Sequence, residues 1–158
     1  MTLQDLANTS QIAQAVLVVV SLGFIWYQLR EGVRLAKSEN ARSLAEQAGA
    51  FNSLLIQNAD LAELWYSYGR KLEQDGEIAR LRYREMLVQW LIFHEYIYYQ
   101  WKQKLLDDEI YRSWLADLED VVQKHNLEVF SSGIQNVFCG DFGRHLSQLR
   151  AKVRRNAA

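Results

Sequence analysis

The chain contains no proline, where average usage in 158 residues would give about eight. Proline removes a backbone hydrogen bond and breaks helices, so its absence fits long, uninterrupted helices. Cysteine occurs once, at Cys139. A single cysteine cannot form an internal disulfide, which agrees with a domain on the reducing side of a membrane.

The sequence also lacks the common signatures of catalysis, having no nucleophile elbow, phosphate-binding loop or Cys-x-x-Cys pair. The triplet Asp141-Phe142-Gly143 matches a kinase motif by chance, because the accompanying glycine-rich and catalytic loops are missing. The three histidines and Cys139 do not fall at metal-ligand spacing. With a net charge of −1, the chain lacks the excess of positive charge that nucleic-acid-binding domains carry. We therefore expect a non-enzymatic protein with no metal, no cofactor and no nucleic-acid partner.

What the sequence does have is an apolar stretch over residues 12–29, with no charged residue between Gln11 and Leu29. At about 1.5 Å per residue, Ser10 to Leu29 makes a rod of roughly 30 Å, the thickness of the hydrocarbon core of a bilayer. Trp26 and Tyr27 lie at one end, where aromatic rings favour the headgroup level, and Thr9 or Ser10 fits an N-cap at the other. These features predict a transmembrane helix over 12–29.

Two alternatives to a membrane span are open. A buried core helix is possible because the purely apolar part is short for a span. A secretory signal peptide fits less well, since the stretch has no basic segment before it and no small-residue cleavage site after it.

The basic residues predict which way the span faces. None of the 18 Lys and Arg residues precedes Arg30. By the positive-inside rule, residues 1–11 form a short external N-terminus and residues 30–158 a cytoplasmic domain. Basic side chains near the span and in the C-terminal segment are also expected to contact anionic lipid. These lipid-surface candidates are Arg30, Arg34, Lys37, Arg150, Lys152, Arg154 and Arg155.

The polar and small residues of the span recur at alternating steps of three and four, which places them on one helix face. In lipid, such a stripe is where a second helix packs closely. The alternative is that the glutamines lie at the membrane interfaces and Ser21 bonds the carbonyl four residues back. We expect association, and the helix–helix interface candidates are Gln14, Val18, Ser21, Ile25, Gln28 and Gly32.

Good helix formers continue beyond the span to Gln57, and Asn58-Ala59 interrupts the pattern. Asp60 and Glu63 have capping-box spacing, so a second helix is expected to begin there, and Asp75-Gly76 marks the next turn. The cytoplasmic part is expected to be an all-α antiparallel helical bundle, into which the transmembrane helix continues. Its further helices are predicted over 77–104, 109–124 and 142–154, with a shorter amphipathic piece over 127–138.

The helix over 77–104 stands out, because its middle from Met86 to Trp101 is apolar almost all round. Such a helix is either the buried centre of a bundle or a second span. Basic residues on both flanks remove the asymmetry that a span would show. We therefore expect the central core helix.

His94 and Glu95 are the best candidates for a chemical site, since ionisable groups in an aromatic run have perturbed pKa values. Adjacent helical residues point about 100° apart, so the two cannot act as one pair. We expect Glu95 to accept a hydrogen bond from a neighbouring helix and His94 to be a satisfied core histidine. The alternative is an apolar ligand pocket. Its candidate lining residues are Trp90, His94, Glu95, Tyr98 and Trp101.

Several segments of the chain form a recognisable set. They are the apolar span ending in Gln28-Leu29-Arg30, Asn58 to Trp65 with Gly69, Glu95 to Gln100, and Leu105 to Glu109 with Trp114. Together they resemble a widespread group of bacterial single-span inner-membrane proteins with a cytoplasmic helical domain. The likeness covers the chain from the span to about Trp114, and it implies no active-site residue. This chain departs from the pattern at Lys104, where the resemblance implies a glycine.

The resemblance implies the bacterial inner membrane as the location. The sequence as a whole predicts a non-enzymatic, membrane-anchored interaction protein. Its expected partners are the lipid bilayer and either further copies of itself or other subunits of a membrane complex. The alternative is a membrane-tethered cytoplasmic ligand sensor whose pocket is lined by the aromatic residues of the central helix.

Overall fold

The computed structural model describes residues 3–70, 72–125, 127, 138 and 140–156. These residues form helices joined by turns and contain no strand, which confirms the all-α class. The five helices are α1 (Leu3–Gln57), α2 (Ala59–Tyr66), α3 (Leu72–Lys102), α4 (Asp108–Lys124) and α5 (Gly140–Asn156).

The first helix, α1, is continuous over 55 residues, so the expected continuation to Gln57 and the break at Asn58 are confirmed. The predicted N-cap is wrong, because Thr9 and Ser10 lie inside this helix rather than at its start. Nothing in its sequence stops it earlier, since proline is absent and Gly23, Gly32 and Gly49 are single helical glycines.

Two compact units divide the chain, residues 1–39 and residues 40–158. In the first unit, the side chains described between Ser10 and Arg30 are exposed. The helical segment Ser10–Gln57 contains an 18-residue window with a mean hydropathy of 1.8, long and apolar enough to cross a membrane. None of this window is buried, so it is not part of the core of this chain.

The second unit holds the core, and α3 lies at its centre as predicted. Tyr83, Leu87, Leu91 and Ile97 on α3 are at most 1% exposed. This helix packs against α2, α4 and α5. The C-terminal part of α1 adds Leu44, Ala48 and Leu55 to the same core, together with the half-buried Phe51. Among the described helices, α1 is long and apolar enough to cross a membrane, and α3 is not.

The start of α2 differs from the capping-box prediction. Asn58, in an extended conformation, is the N-cap, and Asp60 lies in the first turn. The Asn58 side chain donates to the Leu54 carbonyl oxygen of the preceding helix. Asp60 instead forms an exposed ion pair with Arg82 of α3 at 3.2 Å.

The predicted turn at Asp75-Gly76 is confirmed at Gly76, which has φ +87° inside α3. From residue 77 to Lys102 the helix is regular. The helix predicted over 109–124 is α4, which runs from Asp108 to Lys124 with Asp107 as its N-cap and His125 as its C-cap.

The end of α3 closes in a Schellman motif. The Leu105 amide donates to the Gln100 carbonyl at 2.9 Å, and the Lys104 amide donates to the Trp101 carbonyl at 2.8 Å. Lys104 therefore occupies the left-handed position, with φ +62°. This is the position where the family resemblance implies a glycine.

The last helix, α5, begins at Gly140, whose φ is +72°. Of the shorter piece predicted over 127–138, only Leu127 and Phe138 are among the described residues, and both are buried. Gly143 lets α5 approach the chain at Phe138 closely, since a Cβ atom there would overlap the Phe138 carbonyl oxygen.

Candidate functional site

A polar cluster links α3 and α4 inside the aromatic core. His94, only 2% exposed, places its Nε2 atom 2.9 Å from Oδ2 of Asp117. The Trp90 indole Nε1 donates to the same oxygen at 3.1 Å. Residues 90 and 94 share a helix face because they are one turn apart. One carboxylate oxygen thus satisfies two buried ring nitrogens.

The Asp117 carboxylate is partly exposed, with 43% of its side chain accessible. Burial by itself raises the pKa of Asp117. This effect of burial is outweighed by the hydrogen bond and charge of His94, by the indole N–H of Trp90 and by the more distant His125. Together they bring the pKa of Asp117 below its ordinary value. Asp117 is therefore ionised at neutral pH, and the His94 Nε2–H donates to it.

A second histidine, His125 at the end of α4, lies in an aromatic cage. Its ring is 4.2 Å from the Trp65 ring and 5.1 Å from the Tyr68 ring, centroid to centroid. Its Nδ1 is 2.9 Å from the Tyr83 hydroxyl oxygen. Burial lowers the pKa of His125 to about 4, against the weaker opposing charges of Asp120 and Asp117. A neutral imidazole at this place is a structural acceptor, and the cage ties α2, α3 and α4 together.

Farther along α3, Trp101 and Tyr98 have other partners. The Trp101 ring stacks on Tyr111 of α4 at 4.1 Å and donates its indole N–H to Asp108 at 2.8 Å. Tyr98 lies 5.1 Å from the His145 ring of α5. Burial, followed by the charge of Tyr98, raises the pKa of Tyr111 to about 12. The Tyr111 hydroxyl therefore stays protonated at neutral pH.

The predicted pocket residues thus separate into groups. Trp90 and His94 meet at Asp117, whereas Trp101 and Tyr98 contact Tyr111 and His145. The expectation that His94 is a satisfied core histidine is confirmed. The expectation for Glu95 is wrong, because its half-buried side chain has no hydrogen-bond partner in the described chain.

The α5 histidine, His145, has an orphaned ring nitrogen. Within the described residues, its Nε2 is a buried polar side-chain atom without a hydrogen-bond partner. Burial lowers the pKa of His145, opposed by the charge of Glu119. Its ring lies 5.1 Å from the Tyr98 ring and 6.5 Å from the Phe142 ring, centroid to centroid.

On α1 the six interface candidates are all exposed. The Ser21 hydroxyl donates to the Leu17 carbonyl oxygen of its own helix at 2.8 Å, as the alternative interpretation held. A Cβ atom at Gly32 would meet nothing within 4 Å.

The basic candidates make short-range contacts. Arg30 lies over the Trp26 ring at 5.6 Å, and Arg34 pairs with Glu31. In the second unit, Lys152 bridges to Glu119 of α4 at 2.8 Å. Arg150 is partly buried, whereas Arg154 and Arg155 are exposed in the last turns of α5.

Sequence reasoning did not identify Asp117, the Tyr83–His125 contact or a surface cleft of about 340 Å³ between α2 and α3. Of these three features, only Asp117 could have been found from the sequence. It lies one turn after Trp114, beside the apolar stripe of α4. The cleft is lined by Asp60, Leu61, Glu63, Leu64, Ser67, Ile78, Ala79 and Arg82. Across the described ranges, no three His, Cys, Asp or Glu side chains are grouped to hold a metal ion.

Comparison with known proteins adds no relative to this picture. No protein-family model, curated protein or solved structure matches the chain. The described chain is thus an all-α protein with one helix able to span a membrane, and its function has to be argued from its own residues.

Proposed function

We propose that this chain is a non-enzymatic, single-span membrane protein whose antiparallel helical-bundle domain acts by association, either with itself or as an accessory subunit of a membrane complex. The observation that carries the proposal is the exposed apolar surface of α1. Between Ile12 and Leu29, twelve large apolar side chains are each at least 50% exposed. Removing them from water is worth on the order of 10 kcal/mol or more. A bilayer supplies that environment along the whole rod.

The charge distribution supports a cytoplasmic location for the second unit. All 18 Lys and Arg residues follow the apolar stretch, beginning with Arg30, Arg34 and Lys37. Basic residues directly after a span are retained beside the anionic inner leaflet. The family resemblance supports a bacterial inner membrane. Reporter fusions at the two ends test this orientation, and an extracellular signal from a C-terminal fusion would contradict it.

The stripe on α1 supports association through the span. Gln14 is exposed in the middle of apolar surface, where an unpaired amide is costly and a neighbouring helix offers a partner. Ser21 contributes close packing rather than a hydrogen bond, because its hydroxyl is used within its own helix. Arg30 and Gly32 continue the helix beyond the apolar stretch.

The test of association is the mass of the full chain in native nanodiscs from its own host. The wild type is expected as a discrete assembly, alone or with stoichiometric foreign subunits. Gln14→Leu with Ser21→Leu should reduce its mass, because the polar and small contacts are lost. The matched control, Val16→Leu with Gly23→Leu, changes the opposite side of the helix. Equal masses for both variants would remove the main support for the proposal.

The alternative function, a ligand sensor, has one observation in its favour. The orphaned Nε2 of His145 lies beside Tyr98, one of the predicted pocket residues. A bound apolar ligand with one polar group would satisfy this nitrogen. A thermal-shift screen with aromatic and apolar metabolites tests this function, and His145→Phe should abolish any stabilisation. No stabilisation by any compound would argue against the pocket.

A further inference from the structure

The surface around α2 contains two adjoining clefts. The first lies between α2 and α3 and has a volume of about 340 Å³. The second has a volume of about 360 Å³ and follows α2 into the turn after it. Glu63 and Ser67 line both clefts, and Tyr66 and Arg70 complete the second. We name the two clefts together the α2 groove, and each has the volume of a binding site.

The rim of the α2 groove carries large apolar side chains that are exposed. Ile78 lines the first cleft and is 72% exposed, and Tyr66 lines the second and is 62% exposed. Leu61, Leu64 and Ala79 supply the remaining apolar lining of the first cleft. Exposed apolar side chains grouped around a concave surface mark a contact with another molecule.

The charges of the α2 groove define the chemistry of that molecule. The charged side chains that line the two clefts are Asp60, Glu63, Arg70 and Arg82. Asp60 and Arg82 pair with each other at 3.2 Å, and Glu63 has an interaction of its own within the chain. Arg70 is exposed and lies over the Tyr68 ring at 5.3 Å, and among the described residues it has no acidic partner. Since a guanidinium group prefers a carboxylate, the partner has to bring an acidic group.

The offset between the two clefts favours a helix as the partner. Together, α2 and the following turn line the first cleft between residues 60 and 67, and the second between residues 63 and 70. The second cleft is therefore displaced by about one helical turn. A helix presents side chains at the same spacing on one face, and amphipathic helices bind to grooves in this way.

The bilayer and a second copy fit the α2 groove less well. Asn40 is the first residue of the second unit, and its side chain donates to Gln100 near the end of α3 at 3.0 Å. Ile78 lies roughly 33 Å from Gln100 along α3, so the α2 groove is remote from the end of the unit that holds Asn40. A two-fold contact between copies presents the same surface from both sides, and two clefts that face each other fill neither.

We propose that the α2 groove binds an amphipathic helix of a foreign subunit, with an apolar side chain in the first cleft and a carboxylate on Arg70. This inference rests on the accessory-subunit form of the proposed function and names the surface that meets the partner.

Photo-crosslinking of the full chain in its own host tests the contact. p-Benzoylphenylalanine replaces Tyr66 or Ile78, and Ile92 as the control. Ile92 is another exposed isoleucine of α3, at 46%, but lies roughly 21 Å from Ile78 along the helix. Cross-links from Tyr66 and Ile78 should map to one helix of one foreign chain, in which an acidic residue lies one turn from an apolar one, and Ile92 should give no cross-link to that helix. A cross-link only to a second copy, to lipid or to a segment without this pattern would overturn the proposal, as would no cross-link.

A charge exchange tests the role of Arg70. Arg70→Glu should lower the cross-link yield from Ile78 about fivefold, because attraction becomes repulsion. Arg112→Glu, at an exposed arginine of α4, is the matched control and should leave the yield unchanged. Changing the acidic residue of the partner to lysine should restore the yield with Arg70→Glu, which also shows that this variant is folded. A yield that ignores Arg70→Glu would overturn the proposal.

The mass of the full chain in native nanodiscs separates this inference from the proposed function. Foreign subunits that co-purify with the chain but give no cross-link to the α2 groove would remove the inference and leave the accessory function. An assembly of this chain alone would remove the accessory function together with the inference and leave self-association.

Discussion

The left-handed conformation of Lys104 leads to a quantitative prediction. A side chain with a Cβ costs roughly 1–2 kcal/mol at φ +62°. Glycine removes this cost but loses roughly 0.5–1 kcal/mol more backbone entropy on folding. Lys104 is exposed, so little packing is lost with its side chain. Lys104→Gly should therefore stabilise the helical domain by about 0.5–1 kcal/mol.

The assay is urea unfolding of the full chain in detergent micelles, followed by tryptophan fluorescence. Four of the five tryptophans lie in the second unit and report on its core. Lys104→Ala is the control, because it removes the charge but keeps the Cβ in the left-handed position. A glycine variant that is no more stable than the alanine variant would contradict this prediction.

Three further predictions concern the core. Asp117→Ala leaves two buried ring N–H groups without an acceptor and should cost about 2–4 kcal/mol in urea unfolding, whereas Asp120→Ala removes an exposed pair with Lys124 and should change stability little. Gly143→Ala should destabilise the domain by about 1–3 kcal/mol, because its Cβ atom would clash with the Phe138 carbonyl oxygen. Gly49→Ala, which has open space around it, should stabilise the domain by about 0.5–1 kcal/mol. Equal effects of the two substitutions on urea unfolding would contradict the close approach at Gly143. The pKa of His125 is lowered from 6.5 to about 4, so the folded state favours the neutral imidazole. The resulting contribution to the free energy of unfolding is fully present above pH 6.5 and is lost as the pH falls toward 4. It amounts to on the order of 3 kcal/mol. Urea midpoints of wild type and His125→Gln between pH 7 and pH 4.5 measure it, and parallel pH profiles would show that His125 is not the cause.

Local sequence signals predicted much of the fold. The absence of proline and the run of helix formers predicted the continuous α1. The turn at Gly76 and the bounds of α4, within one residue, also agree with the prediction. The start of α2 was mispredicted because Asp60 and Glu63 have the spacing of a capping box. The chain instead uses Asp60 for a contact with Arg82, 22 residues away, which no local pattern contains.

The candidate site was only partly predictable for a similar reason. His94 and Trp90 are recognisable as polar groups on an apolar helix, so they must find an acceptor. Which residue accepts depends on how α4 packs against α3, and Asp117 is one of several acidic residues on that helix. The cage around His125 joins three helices and is equally invisible along the sequence.

The polar cluster also explains which face of α3 is left outside. A helix that is apolar almost all round buries similar area in several rotations, so hydrophobicity alone does not choose among them. Trp90 and His94 determine the rotation of α3, because only one rotation brings both ring nitrogens to the Asp117 carboxylate. Rotation by one residue would bury part of the outer apolar face but leave two donors unsatisfied, each at a cost of about 1–3 kcal/mol. The exposed position of Ile78, Leu81 and Ile92 is therefore fixed from the inside of the domain, by the hydrogen bonds of Trp90 and His94 to Asp117.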